Sequence, residues 1–157
     1  MNSDFKELLT ILNACQVSYL VVGGYAYIYY AEPRYTKDID LWIQPSRDNA
    51  VRLRQALLQF GGWVEGMTLE HFTTERTMFQ IGLPPCRVDF LTSIPGLEFD
   101  PAYAARKVAD IDGLALPMIA LPDLIIAKRT SGREQDLRDV AGLERIAGEE
   151  IGPRKGG

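Results

Sequence analysis

Asp38 and Asp40 stand two residues apart in the run Asp38-Ile39-Asp40-Leu41-Trp42-Ile43. In a β-strand, residues i and i+2 share a face. A strand over this run therefore turns both carboxylates one way and Ile39 and Leu41 the other. Two anions side by side repel each other unless a cation lies between them. Mg²⁺ suits that place, because it is a hard cation that takes carboxylate and phosphate oxygens. Asp89 sits between Val88 and Phe90 in a second apolar run. A third carboxylate on a neighbouring strand would complete a two-metal centre, although the local pattern suits an outward-facing strand residue nearly as well. Upstream, Gly23-Gly24 follows the apolar run Tyr19-Leu20-Val21-Val22. Glycine lets a phosphate approach the backbone closely, and a helix N-terminus favours an anion. The run is not a P-loop, since no Gly-Lys-Ser/Thr follows, and it lacks the further glycines of a dinucleotide fingerprint.

These residues need elements to hold them. Ser3 or Asp4 can cap a first helix whose apolar positions Phe5, Leu8, Leu9, Ile11, Leu12 and Cys15 fall at helical spacing. Residues 19–22 read as a buried strand that Gly23-Gly24 ends. A helix is predicted over 25–31, stopped by Glu32-Pro33 because the residue before proline avoids helical geometry. Residues 39–43 alternate as a second strand, with Asp38 at its start. Pro45-Ser46 caps a helix over 47–60, with Val51, Leu53, Leu57, Leu58 and Phe60 on its apolar face and Gly61-Gly62 at its end. Residues 77–81 and 86–91 form a hairpin pair joined by 82–85. Strands over 108–111 and 114–116 are hinged at Asp112-Gly113, a two-residue hairpin signal. Helices over 121–130 and 133–147 close the chain, and Pro122 suits a first turn. The fold class is α+β with α/β-like order, a mixed sheet flanked by helices. Residues 1–150 form one domain and 151–157 a disordered tail.

The chain has 157 residues, 46% hydrophobic and 24% charged, which allows a real core. A formal net charge of -4 excludes non-specific coating of nucleic acid, which needs a strong positive field. A local basic cluster can still take a nucleotide or an RNA end. Cys15 and Cys86 are far apart, outside any Cys-x-x-Cys, and read as buried free thiols of a reducing compartment. His71 is the only histidine and cannot build a zinc site. The N-terminus lacks a signal peptide's basic and apolar regions, and no apolar run spans a bilayer. The expectation is a soluble cytoplasmic protein with no membrane partner.

Gly23-Gly24, then Arg34-Tyr35-Thr36-Lys37-Asp38-Ile39-Asp40-Leu41, then Val88-Asp89-Phe90 resemble the nucleotidyltransferase fold of the DNA polymerase β type. Small bacterial relatives of the AbiEii toxin and minimal nucleotidyltransferase groups are most alike. The segment from Lys128 through Arg133 to Asp136 and Asp139 resembles the last helices of those groups, and the likeness runs over residues 18–143. It implies in-line transfer of a nucleoside monophosphate from a nucleoside triphosphate to a hydroxyl-type acceptor, a protein, an RNA or tRNA end, or a small molecule. Asp38 and Asp40 would hold two Mg²⁺ ions, or Mn²⁺, on the triphosphate. Asp89 would ligate the catalytic ion and help deprotonate the acceptor. Gly23, Gly24, Lys37, Lys128 and Arg133 are the nucleotide-binding candidates, with Arg34 beside them. Gly24 stands where many active members carry serine.

Blander readings compete with each of these. Lys128 and Arg133 equally suit a solvated helix face, and Asp136 and Asp139 equally suit surface pairs with Arg133 and Arg138. Tyr25, Tyr27, Tyr29 and Tyr30 suit a core-facing helix more than a base-stacking platform. The alternative function is a low-activity nucleotide-binding or regulatory module, such as one half of a toxin–antitoxin pair with an antitoxin or homodimer partner. An Asp-x-Asp of the phosphatase or sugar-transferase kind ranks third, because here the motif falls on the second strand and is followed by Leu41-Trp42.

Overall fold

The computed structural model of the chain describes residues 1–63, 65–82 and 87–151, with residues 150 and 151 described by their backbone alone. Its elements in order are α1 (Ser3–Ala14), β1 (Tyr19–Val22), α2 (Gly23–Tyr30), β2 (Asp38–Ile43), α3 (Arg47–Phe60), a 3-10 turn (Leu69–Phe72), β3 (Met78–Ile81) and β4 (Arg87–Leu91). Then come α4 (Phe99–Ala104), β5 (Lys107–Ile111), β6 (Leu114–Met118), α5 (Leu121–Ser131) and α6 (Glu134–Ile151). Among the described residues the strands form one six-stranded sheet in the order β3-β4-β2-β1-β6-β5. It is mixed: β1 runs antiparallel to β2 and parallel to β6, while β2 runs parallel to β4. The predicted α+β class, a mixed sheet flanked by helices, is what forms.

Period-two alternation gives this sheet two unlike faces. Ile39, Leu41 and Ile43 of β2 and Val88 and Phe90 of β4 are buried, and cross-strand register places Val21 beside Leu41 and Leu41 beside Phe90. Helices α1 and α3 cover this apolar side: Phe5 and Phe60 border a recess with Ile81 and Val88, and Phe72 packs edge-on against Phe90. The other face carries Asp38, Asp40 and Trp42 on β2 and Arg87, Asp89 and Leu91 on β4, paired in that order. Phe99 of α4 meets the Trp42 ring there edge-on at 5.3 Å. α5 lies over the same side, bordering a cavity with Val22 and Asp40.

Several predicted boundaries hold, including the Ser46 cap on α3, whose hydroxyl accepts from Asn49 N, and Gly61 in the left-handed C-cap. Asp112 and Gly113 both take positive φ in the β5–β6 hairpin, as a two-residue primed turn requires. Other expectations are corrected. Asn2, not Ser3 or Asp4, caps α1. α2 begins at Gly23 rather than at 25, and α6 begins at Glu134 and runs on to Ile151. Val51 and Leu58 are 38% and 59% exposed, because α3 buries the narrower stripe Asn49, Ala50, Leu53, Ala56 and Leu57. Cys15 is a half-buried free thiol rather than a buried one. The short helix α4 was not anticipated, because Pro101 and a six-residue length leave no helical period. Cys86, most of the expected 82–85 connection and residues 152–157 lie outside the described residues.

One turn decides how β1 meets the polar face. Gly23 has φ +66°, and a Cβ built on it would lie 2.0 Å from Asp40 Oδ2. Both the backbone conformation and the close approach exclude a side chain. Gly23→Ala is expected to destabilise the fold by about 2 kcal/mol or more, read from the urea midpoint. An unchanged midpoint would mean that the turn is not pressed against Asp40.

Candidate functional site

The parallel register of β2 and β4 sets Asp40 directly beside Asp89, and Val22 at the end of β1 lies on Asp40's other flank. Their side chains project from the same face of the sheet at paired positions. Burial pushes the Asp40 carboxyl up to about 7, and the neighbouring carboxylate of Asp89, with the charge of Asp38, adds to the rise. The Arg133 charge opposes it. Asp89 is 9% exposed, so the outward-facing reading of this residue does not hold. On its other side, Gln80 of β3 donates from Nε2 to Asp89 Oδ1 at 2.6 Å, an orientation supplied by the β3–β4 register.

Asp38 has a different partner. Arg87 reaches it with both Nε, at 3.1 Å from Oδ1, and Nη2, at 2.7 Å from Oδ2. This is the bidentate fork that fits a carboxylate best. Arg87 was not among the sequence candidates. Its place two residues before Asp89 puts it on the same strand face, a spacing signal that could have found it. Gln80 could be found only from the register.

A cavity of about 310 Å³ opens beside this row, with Gly23, Asp40, Ser93, Lys128, Arg133 and Asp136 in its wall. Gly23 and Gly24 start α2, whose N-terminus has no side-chain cap, so its first N–H groups are free to meet an anion. At Gly24 a Cβ would come within 3.0 Å of Thr36 Oγ1, so this place is also crowded. Lys128 is buried, and its ammonium donates to Asp136 at 3.1 Å and to Asp139 at 2.9 Å. Arg34 donates to Asp139 at 2.6 Å and lies 3.6 Å over the Tyr27 ring. Asp139 therefore pairs with Lys128 and Arg34 and not with Arg138, which turns to Glu134. Burial works against ionising Asp139, but hydrogen bonds from Arg34, Lys128 and Gln135 outweigh it and hold the carboxyl below its usual range. Arg133 pairs with Asp136 at 3.2 Å while its side chain stays 82% exposed at the cavity rim. Lys37 is exposed and lies outside the cavity wall.

The site thus brings Asp40, Asp89, Gly23, Lys128 and Arg133 together, keeps Asp38 on the same face under Arg87, and leaves Lys37 apart. Among the described residues no three His, Cys, Asp or Glu side chains stand as a ready-made metal cluster. The Asp40–Asp89 pair nevertheless fits a divalent cation. It offers hard oxygen donors, and one member is driven toward its protonated form for want of a counter-charge.

Two outcomes follow. With metals chelated, Asp40 titrates near 7, above its ordinary value of 3.8. A raised carboxyl favours the protonated fold, so its contribution is full at low pH and is lost as pH rises through 7. Stability is expected to fall by on the order of 2 kcal/mol between about pH 5 and about pH 8. Asp40→Asn should flatten that slope in denaturant titrations, and an equal slope in both proteins would refute the assignment. Lys128→Ala leaves Asp139 buried with one cation fewer and should cost about 2–3 kcal/mol. A loss of nucleotide binding at undiminished stability would instead show that the Lys128 charge serves a ligand.

In comparisons with solved structures, the lincosamide antibiotic adenylyltransferase LnuA with lincomycin bound superposes at TM-score 0.59 and 15% identity, over 93% of this chain and 98% of that one. ANT(2")-Ia in complex with adenylyl-2"-tobramycin gives 0.59 at 15% identity, over 94% and 87%. An antigenic nucleotidyltransferase-like protein from Paracoccidioides brasiliensis gives 0.59 at 19% identity, over 90% and 77%. At such identities the likeness shows the shared fold. No protein of curated function matches the chain significantly by sequence. A family model matches nearly its whole length, residues 1–153, and by that match the chain belongs to the family described as "Nucleotidyl transferase of unknown function (DUF2204)".

Proposed function

We propose that the chain moves a nucleoside monophosphate from a nucleoside triphosphate to a hydroxyl-type acceptor at the Asp40–Asp89 pair. The observation that carries this reading is the forced adjacency of these two carboxylates beside the uncapped start of α2. Asp40 and Asp89 would hold a divalent cation, Mg²⁺ or Mn²⁺, and Asp38 would join them on release from Arg87. When bound, such an ion neutralises triphosphate charge and polarises the α-phosphate. The chain's own groups do the rest. The α2 N–H groups behind Gly23 receive phosphate oxygens, and Arg133 meets the departing charge from the rim. The acceptor oxygen bonds to the α-phosphorus as the bond from that phosphorus to the β-bridging oxygen breaks. Pyrophosphate leaves, and the acceptor proton passes to Asp89, which Gln80 holds in place. No covalent enzyme intermediate is needed, because positioning and charge complementarity lower the barrier. The two antibiotic-modifying neighbours support an adenylyl donor and a small-molecule acceptor as the specific form of this reading.

The Arg87–Asp38 fork favours a second reading, a nucleotide-binding module of low turnover in which one carboxylate is locked, for example within a toxin–antitoxin pair. Incubation with Mg²⁺, α-labelled triphosphates and a panel of acceptors separates the two. Transfer by the native chain should fall by about a hundredfold or more in Asp40→Asn and Asp89→Asn. Undiminished transfer in these variants would move the chemistry elsewhere. Turnover that rises in Arg87→Ala would select the locked module.

A further inference from the structure

The Asp40 cavity is walled on its helix side by Lys128 and Ser131 of α5, Arg133 of the α5–α6 turn and Asp136 of α6. Both oxygens of the Asp136 carboxylate are taken. Lys128 Nζ donates to Oδ1 at 3.1 Å, and Arg133 Nε donates to Oδ2 at 3.2 Å. The Ser131 hydroxyl also donates to Oδ2, and the Arg133 backbone N–H donates to Ser131 Oγ at 3.3 Å. An ammonium, a guanidinium and a hydroxyl converging on one pair of oxygens form the donor set that suits a phosphate. Burial works against ionising Asp136, but the Ser131 and Lys128 hydrogen bonds outweigh it and hold the carboxyl below its usual range. Two further observations mark this carboxylate as more than a clasp between α5 and α6. The clasp is already made by Asp139, which is buried and accepts from Lys128 at 2.9 Å, Arg34 at 2.6 Å and Gln135 at 2.9 Å. Lys128 therefore keeps a buried counter-ion when Asp136 leaves. Asp136 also stands in one cavity wall with Gly23 and Asp40, where the Arg133 side chain is 82% exposed.

Building on the transfer reading above, we infer that Asp136 is an internal anion that fills the seat of the pyrophosphate end of the triphosphate in the free chain. Lys128 Nζ–H, Ser131 Oγ–H and Arg133 Nε–H release its carboxylate and take phosphate oxygens in its place. Each donor trades one anionic oxygen for another, so no buried cation is left unpaired during the exchange. Asp139 stays with Arg34 and Lys128 throughout and keeps α5 and α6 in register. The apparent affinity for a phosphate-bearing ligand then falls by the fraction of molecules whose donors are free. Asp136 thus weakens the hold on nucleotide and on departing pyrophosphate alike, and it reclaims the donors as the product leaves.

The test titrates the full chain with inorganic pyrophosphate in a calorimeter, with a chelator present so that no metal enters. Asp136→Asn keeps the shape of the side chain and removes the competing charge. It should bind pyrophosphate about tenfold more tightly than the native chain. Adding Arg133→Ala, at an exposed position, should cancel that gain. A second measurement needs no substitution and keeps the test valid where Asp136→Asn fails to fold. In the native chain labelled with ¹⁵N, excess pyrophosphate should move the Arg133 Nε–H resonance and leave that of Arg34, which Asp139 holds. Equal affinity in the native chain and Asp136→Asn, or an Arg133 resonance that does not respond, overturns the internal anion and leaves Asp136 as a clasp. Tighter binding in Asp136→Asn with no label transfer by any variant would keep the internal anion and sink the transfer reading. Transfer with the same KM for the triphosphate in the native chain and Asp136→Asn would do the reverse.

Discussion

The structure depends on one unfavourable juxtaposition, two carboxylates held at directly opposed positions of a parallel strand pair. Asp40 and Asp89 are register partners in β2 and β4. Neither can turn away, because the alternate residues Ile39, Leu41, Val88 and Phe90 are locked into the apolar face. A one-residue slip that separated the carboxylates would also drag four core side chains into solvent. Hydrophobic burial, worth about 25 cal/mol for each Å² removed from water, therefore maintains a local repulsion. Burial and the neighbouring carboxylates push Asp40 up to about 7, toward its protonated form, and a cation can relieve the same repulsion.

Around that pair the remaining charges divide into two groups. Arg87 answers Asp38 on the sheet itself. Lys128, Arg34, Asp136 and Asp139 form a mostly buried cluster that ties α5 to α6 and both to the segment after α2. Such a cluster adds less stability than its contacts suggest, because burying its ions costs much of what their attraction returns. Its effect is geometric: it holds Asp136 where Arg133 can lean on it while the Arg133 side chain stays exposed at the cavity rim. Arg133 is thus the exposed cation at the cavity rim and Lys128 the buried one.

Much of this was legible in the residues alone. The same-face pair of Asp38 and Asp40 follows from strand period, the Gly23 turn from its position after a buried run, and the Asp112-Gly113 hairpin from turn chemistry. The helix over 47–60 follows from its cap and C-terminal glycine. Less legible was anything that joins distant segments. α3 shows why: Val51 and Leu58 fit a generous apolar stripe, but the fold buries only a narrower one. Arg34 and Asp139, 105 positions apart, give no local sign that they meet.

The sequence by itself determined which residue types could do chemistry and on which side of each strand they project, because strand period and glycine conformation are local properties. It also determined the family, since a family match reads residues in order. Only the tertiary structure decided which carboxylates become neighbours. Cross-strand register is a long-range choice made by the apolar face, so the closest pair is Asp40 with Asp89, one from each motif, and not Asp38 with Asp40. Tertiary packing likewise committed Asp38 to Arg87 and Lys128 to two aspartates.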